Sequence, residues 1–245
     1  EQTEDAALAA QFAPLAKALT ENEKTIVAEL AAVQGQPVDI GGYYKPDFDK
    51  LSTVMRPSKT LNAALEIIGR RFATGDGLYE ACLDRDWITL QTGPLQNPLM
   101  HLAEAFLATL AVREDAQTQK ALLELCTAMH KRFIDPQQNV LMEKPLGAVD
   151  NWFEPGHQFE WFYLLDTSPL LRGTPLHGAI ARAFDYAEQC GVKDSAVLAM
   201  LAVDGKVIDA TQRIWAQAEY LRALALRSGN ETKLAAQLQA MTQRF

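Results

Sequence analysis

The sequence is poor in cysteine, with only Cys82, Cys126 and Cys190 in 245 residues. An odd number of widely separated thiols fits reduced cysteines and excludes a disulfide framework or a zinc knuckle. A lone Cys is more often a small buried apolar group than a nucleophile. Long apolar runs are missing too: 48% of the chain is hydrophobic, yet no stretch reaches 18 consecutive apolar residues, so no segment reads as a membrane span. The opening EQTEDAALAA lacks the basic and apolar regions of a signal peptide, and the expected location is the cytoplasm. Positive charge is scarce, 23 Lys and Arg against 31 Asp and Glu for a net charge of −8. With no basic cluster among aromatics, a nucleic-acid or anionic-membrane surface is excluded, and the expected partner is a small molecule. No G-x-G-x-x-G follows a strand and no phosphate loop occurs.

What is present is helical periodicity. Ala, Leu, Ile and Val recur at three- and four-residue spacing over 4–33, with Pro14 as a break. Over 35–57 the texture QGQPVDIGGYYKPDF denies a regular element its length and predicts an extended loop. Ser58 then caps a helix running to about Phe72. Further helices are predicted near 98–112, 115–134, 157–166, 174–190, 193–202, 210–228 and 231–243. Short strands are expected at 87–90, 139–142 and 202–207, the last turning at Asp204-Gly205. The class is all-α with hairpin decorations, and paired antiparallel helices suit a toroid as well as a bundle.

Three segments carry residues of catalytic type inside apolar helical stretches, where burial without purpose is costly. In NPLMHLAEAFLATL (97–110), His101 and Glu104 share a helix face about 60° apart, with Pro98 in the first turn. The plainer reading is a helix-start histidine bonded to a carbonyl. In FEPGHQFEWFYLL (153–165), Pro155-Gly156 turns the chain into a helix that brings His157 and Glu160 beside Trp161. Aromatic faces next to carboxylates and imidazoles suit carbohydrate, whose C–H faces pack on rings while its hydroxyls meet polar groups; a core aromatic helix with a capping His competes. In TQRIWAQAEYLRAL (211–224), Arg213, Gln217 and Glu219 line one helix side near Trp215, an arrangement that an exposed salt-bridged face also explains. The repeated H-x-x-E raises a di-metal site, which requires further carboxylates such as Glu219. The expectation adopted is no metal and no cofactor.

At these segments the chain resembles the N-acylglucosamine 2-epimerase family, which includes mannose isomerases and cellobiose 2-epimerases. NPLMHLAEAFLA is similar to its N-x-x-M-H-x-x-E-A helix, EPGHQFEW to its P-G-H-x-x-E-W segment and RIWAQAE to its R-x-W-x-Q-x-E segment, in the family's order and about 55 residues apart. The resemblance covers roughly residues 68–245. It implies an (α/α)6 barrel whose lumen binds a sugar, without metal or redox cofactor, and chemistry by proton abstraction from carbon 2 through an enediol. It further implies His157 as the base, Glu160 as its partner in ring opening or orientation, and a substrate-binding set of His101, Glu104, Trp161, Arg213, Trp215, Gln217 and Glu219. The family's further histidine in a Y-H context has no counterpart, since the last His is His177. An incomplete barrel with at most weak aldose–ketose conversion and no 2-epimerisation is expected, and homo-oligomerisation is left open.

QFAPLAKALTENEKTIVAEL, QGQPVDIGGYYKPD and MRPSKTLNAAL, within residues 11–65, resemble the extreme C-terminus of monomeric NADP-dependent isocitrate dehydrogenase. That tail carries none of the cofactor-binding or catalytic residues expected of such an enzyme. The expected organisation is therefore a dehydrogenase-tail-like segment at 1–67, forming a helix-loop-helix, joined by fusion to a partial barrel domain at 68–245. Two other functions stay in view: a non-catalytic helical binding or assembly domain, and a fragment of isocitrate dehydrogenase.

Overall fold

The structure is a computed structural model that describes residues 13, 16–42, 47–55, 57–61, 72–83, 90–112 and 114–244. Its contacts divide the chain into two compact units, one of Glu1–Gly75, Tyr79–Gly93 and Thr109–Asp115, the other of Asp76–Leu78, Pro94–Ala108 and Ala116–Phe245. No described helix is long and apolar enough to cross a membrane.

In the first unit, residues 16–21 are helical and α1 (Glu23–Ala31) follows. The Glu29 carboxylate accepts from Ser58 Oγ at 2.6 Å and Thr60 Oγ1 at 3.1 Å. Ser58 Oγ in turn accepts from the Leu61 amide at 3.0 Å, the cap expected from its sequence position. The loop expected over 35–57 is interrupted by a second helix, α2 (Phe48–Met55). Asp47 starts it by accepting the Lys50 amide at 3.0 Å, a side-chain cap that outweighs the local Gly and Pro content. A bulged antiparallel pair, β1 (Cys82–Leu83) and β2 (Leu90–Thr92), completes the described part. The predicted helix before Ala13, the Pro14 break, most of the helix after Leu61 and the Trp87–Thr89 strand positions lie outside the described residues.

The second unit is built from six helices among the described residues: α3 (Gln96–Val112), whose last turn from Thr109 is counted with the first unit, α4 (Ala116–Phe133), α5 (Pro155–Thr167), α6 (Pro175–Gly191), α7 (Ile214–Leu226) and α8 (Glu231–Arg244). α5 packs against both α6 and α7, α4 against α6, and α8 against α7. All but three of the residues of α5 are buried, which explains why its sequence lacks a polar face. Phe159 stands edge-on to Phe184 at 5.0 Å and lies 4.6 Å from the Tyr220 ring, joining α5, α6 and α7. Each such ring, fully buried, contributes about 1.5–3 kcal/mol. Proline occupies the first turn of both α5 and α6, and Thr174 Oγ1 accepts the His177 amide at 3.3 Å at the start of α6.

One predicted helix is absent. Residues 193–202 instead form β3 (Val192–Lys193), β4 (Ala196–Val197) and β5 (Met200–Leu201), with β5 pairing to β6 (Val207–Asp209). Asp194 and Ser195 both take positive φ, 49° and 54°, the mirror-image two-residue turn that matches strand twist; the apolar spacing of AVLAML concealed it. The hairpin at Asp204-Gly205 forms as expected, with Gly205 at φ 83°. The expected 139–142 strand reduces to a single bridge between Ile134 and Leu141.

Candidate active site

α3 carries Asn97, His101 and Glu104 along one side, because positions three and four apart share a helix face. The extended residue Glu154 and the first two turns of α5 carry His157 and Glu160. Arg213 precedes α7 as its N-cap, with Trp215 and Glu219 on that helix. Asn97, His101, Glu154, His157, Glu160, Arg213, Trp215 and Glu219 line one cavity of about 350 Å³, within the roughly 300–1,000 Å³ usual for small-molecule sites.

His157 is the most constrained of these groups. Its Nδ1 lies 2.7 Å from Glu143 Oε1, and both side chains are buried. Gln96 Nε2 donates to the same carboxylate oxygen at 3.4 Å, while Gln96 Oε1 accepts from the Trp161 indole at 3.2 Å. The imidazole stacks on Trp215 with ring centroids 5.0 Å apart. Nδ1 is thus committed to Glu143, and Nε2 is the nitrogen left for a ligand. Burial works against the imidazolium, but the hydrogen bond and charge of Glu143, then the charges of Glu154 and Glu160, outweigh it and hold the His157 pKa above its ordinary value.

Glu160 is 7% exposed. Burial, then the charges of Glu219 and Glu104, push its carboxyl up to about 7. Glu154 is likewise raised, chiefly by burial. Arg213 Nη1 donates to Glu154 Oε2 at 3.1 Å. Glu219 accepts twice from Arg222 Nη1, at 2.7 and 2.8 Å, and that guanidinium sits 3.9 Å over the Tyr163 ring. His101 Nδ1 lies 2.7 Å from Glu104 Oε2, and its side chain is 57% exposed. An imidazole held by a carboxylate, a carboxyl that keeps its proton up to about 7 and an aromatic face therefore border one space.

Three residues expected to bind substrate, Glu104, Trp161 and Gln217, do not line the cavity. Trp161 follows Glu160 by one position, so α5 turns it about 100° away into the core, where it is fully buried. Gln217 clamps β4 to α7: its side chain accepts from the Val197 amide at 2.8 Å and donates to the Val197 carbonyl at 2.9 Å. Glu104 stands behind His101 as its partner. Conversely, Asn97, Glu154 and Glu143 were not anticipated. Glu154 adjoins the P-G-H segment and Asn97 opens the M-H-x-x-E helix, so position alone pointed to both. Glu143 sits in LMEKP, which carries no signal.

Fold and site together define a helical protein of the α/α barrel type with one polar cavity between α3, α5 and α7. The chain belongs to the N-acylglucosamine 2-epimerase (GlcNAc 2-epimerase) family, whose model matches residues 52–245, while residues 1–66 match the monomeric isocitrate dehydrogenase family. It is similar to isocitrate dehydrogenase [NADP] 2 of Mycobacterium tuberculosis, 64% identical over 67 residues, which is 27% of this chain and 9% of that protein. It is also similar to mannose-6-phosphate isomerase of Rhizobium meliloti, 36% identical over 139 residues, 52% of this chain and 36% of that one. A crystal structure of D-mannose isomerase matches with a TM-score of 0.61 and 20% identity over 89% of this chain and 56% of its own. Cellobiose 2-epimerase from Bacillus thermoamylovorans matches with a TM-score of 0.62 and 18% identity over 79% and 55%. These two likenesses establish the fold, and the chain spans about half of each solved structure.

Proposed function

We propose that the chain acts on a small unbound sugar as an aldose–ketose isomerase, working by proton transfer between carbons 2 and 1. The observation that carries this reading is the buried His157–Glu143 pair, which leaves Nε2 for a ligand in the cavity that Glu160 also lines. In the open-chain sugar, neutral His157 takes the proton from carbon 2, and the C–H electron pair forms the carbon 1–carbon 2 double bond. The carbonyl oxygen takes a proton from Glu160, giving the enediol. The imidazolium then returns its proton to carbon 1, and the carbon 2 hydroxyl gives its proton to the Glu160 carboxylate as the ketone forms. His101, Arg213 and Glu219 hold hydroxyls, and the Trp215 face packs on sugar C–H groups.

Conversion is expected to be weak, because His101 is open to water and water weakens the electrostatic interactions that the enediol requires. No second imidazole is assigned to the opposite face of carbon 2, so 2-epimerisation is not expected. The same exposure favours a second reading, a binding domain that holds sugar without turnover. Residues 1–67 are read as a separate segment, joined near residue 67, that carries no dehydrogenase chemistry.

The purified chain is to be incubated in D2O with mannose, glucose or cellobiose, whose carbon 2 hydroxyl can become the ketone, and with N-acetylglucosamine, which can only exchange at carbon 2. The expected result with the first three is slow ketose formation, abolished in His157→Ala, with deuterium at carbon 1 in those turnovers in which the His157 imidazolium exchanges its proton with solvent. Sugar binding without ketose formation or exchange would establish the second reading. Deuterium at carbon 2 with inverted configuration, or turnover surviving His157→Ala, would overturn the proposal.

A further inference from the structure

Glu160 poses a problem that the isomerase reading leaves unsolved. It is 7% exposed, and among the described residues its carboxylate accepts no hydrogen bond and joins no ion pair, whereas its acidic neighbours are all provided for. Glu154 is paired with Arg213, Glu219 with Arg222 and Glu104 with His101. Its carboxyl keeps its proton up to about 7; above that pH the buried carboxylate facing the cavity has no counter-charge of its own, and a cation from solution can supply one. Beside it lie the imidazole of His101 and the carboxylate of Glu104, and one ligand atom from each of the three residues lies within 4.8 Å of the others.

We propose that His101, Glu104 and Glu160 form a binding site for a divalent transition-metal ion. The donor set is one imidazole nitrogen and two carboxylate oxygens. It suits Zn²⁺ or Co²⁺ better than Mg²⁺ or Ca²⁺, which take mostly oxygen ligands and more of them. Three protein ligands leave a fourth position for water. Tetrahedral bonds of about 2.1 Å place donor atoms roughly 3.3 Å apart. His101 Nδ1 and Glu104 Oε2, at 2.7 Å, must open slightly, and the glutamate torsions of residues 104 and 160 close the remaining distance. The imidazole argues against an organic ammonium, to which neutral His101, its Nδ1–H directed at Glu104, offers only the single lone pair of Nε2. A bound ion takes His101 and Glu160 away from any small molecule in the cavity, so metal occupancy would block ligand entry rather than assist it.

The test needs no substrate and is therefore independent of the proposed isomerase activity. The chain is titrated with Co²⁺ while its visible ligand-field absorption is followed, and Zn²⁺ is then added to displace it. The expected result is one equivalent of Co²⁺ bound in a low-symmetry site, with affinity reduced about tenfold or more in both Glu104→Gln and Glu160→Gln and unchanged in His130→Ala. Both glutamine variants keep the side-chain shape, and circular dichroism melting of each verifies that it is folded. Absence of one-equivalent binding would overturn the proposal. So would binding that both glutamine variants retain, or binding that only His130→Ala removes.

Discussion

At His157 two opposed demands meet on one ring. The proposed isomerase step asks for an imidazole that can lose its proton to become a base, while the buried Glu143 carboxylate favours the charged form, and the balance leaves the pKa raised. The active, neutral form is therefore gained as pH climbs through that raised value. Glu160 must keep its proton, which it does up to about 7. Isomerase activity should accordingly follow a narrow bell with its acidic limb set by His157. Glu143→Gln removes the charge that favours imidazolium but leaves burial in place, so the acidic limb should move to lower pH while the plateau rate falls roughly tenfold as the ring loses its fixed orientation. A pH–rate profile of the variant decides this; an acidic limb that stays in place would mean that Glu143 serves packing alone.

At the scale of elements, the site depends on how closely α5 and α7 begin. A Cβ added at Gly156 would lie 2.8 Å from the Trp215 ring and from Ala216 Cβ, and Trp215 is the ring that stacks on His157. The glycine of P-G-H is there for the tryptophan of R-x-W. Gly156→Ala should cost about 1–3 kcal/mol from overpacking and displace Trp215, lowering the melting temperature and shifting indole fluorescence together. An unchanged melting temperature would refute the close approach. Most helices were legible because their apolar residues recur at helical spacing, and α5 through its Pro-Gly start. The strands over 192–201 were not: pieces of two residues have no periodicity, and their turn rests on Asp194 and Ser195, which enter left-handed backbone without glycine.

At the scale of the whole molecule, each compact unit carries its own thiol reporter. Cys82, exposed, belongs to the first unit, while Cys126, buried, and Cys190, half-buried, belong to the second. Burial pushes the Cys126 thiol up to about 12 and raises Cys190 less far, so near pH 8 neither holds much thiolate. Alkylation of the native chain should modify Cys82 first, Cys190 more slowly, and Cys126 only when denaturant opens the second unit. Mass spectrometry of the labelled peptides checks the order, and early labelling of Cys126 would contradict the packing described.

The sequence by itself determined the helical class, the family and the core of the candidate site. Its motifs set His101 with Glu104, and His157 with Glu160, at spacings that a helix converts into shared faces. It also determined the turn whose backbone needs glycine at residue 205. Only the tertiary structure decided which neighbours in a motif face the cavity. A helix advances about 100° per residue, so Trp161 enters the core although Glu160 does not, and Gln217 turns to Val197 while Glu219 faces the ligand space. Only the tertiary structure, too, brought Glu143 to His157, fourteen residues away in the chain. A buried charge pair is made by chain elements meeting in space, and a sequence with no repeat or spacing between the partners leaves no trace of it.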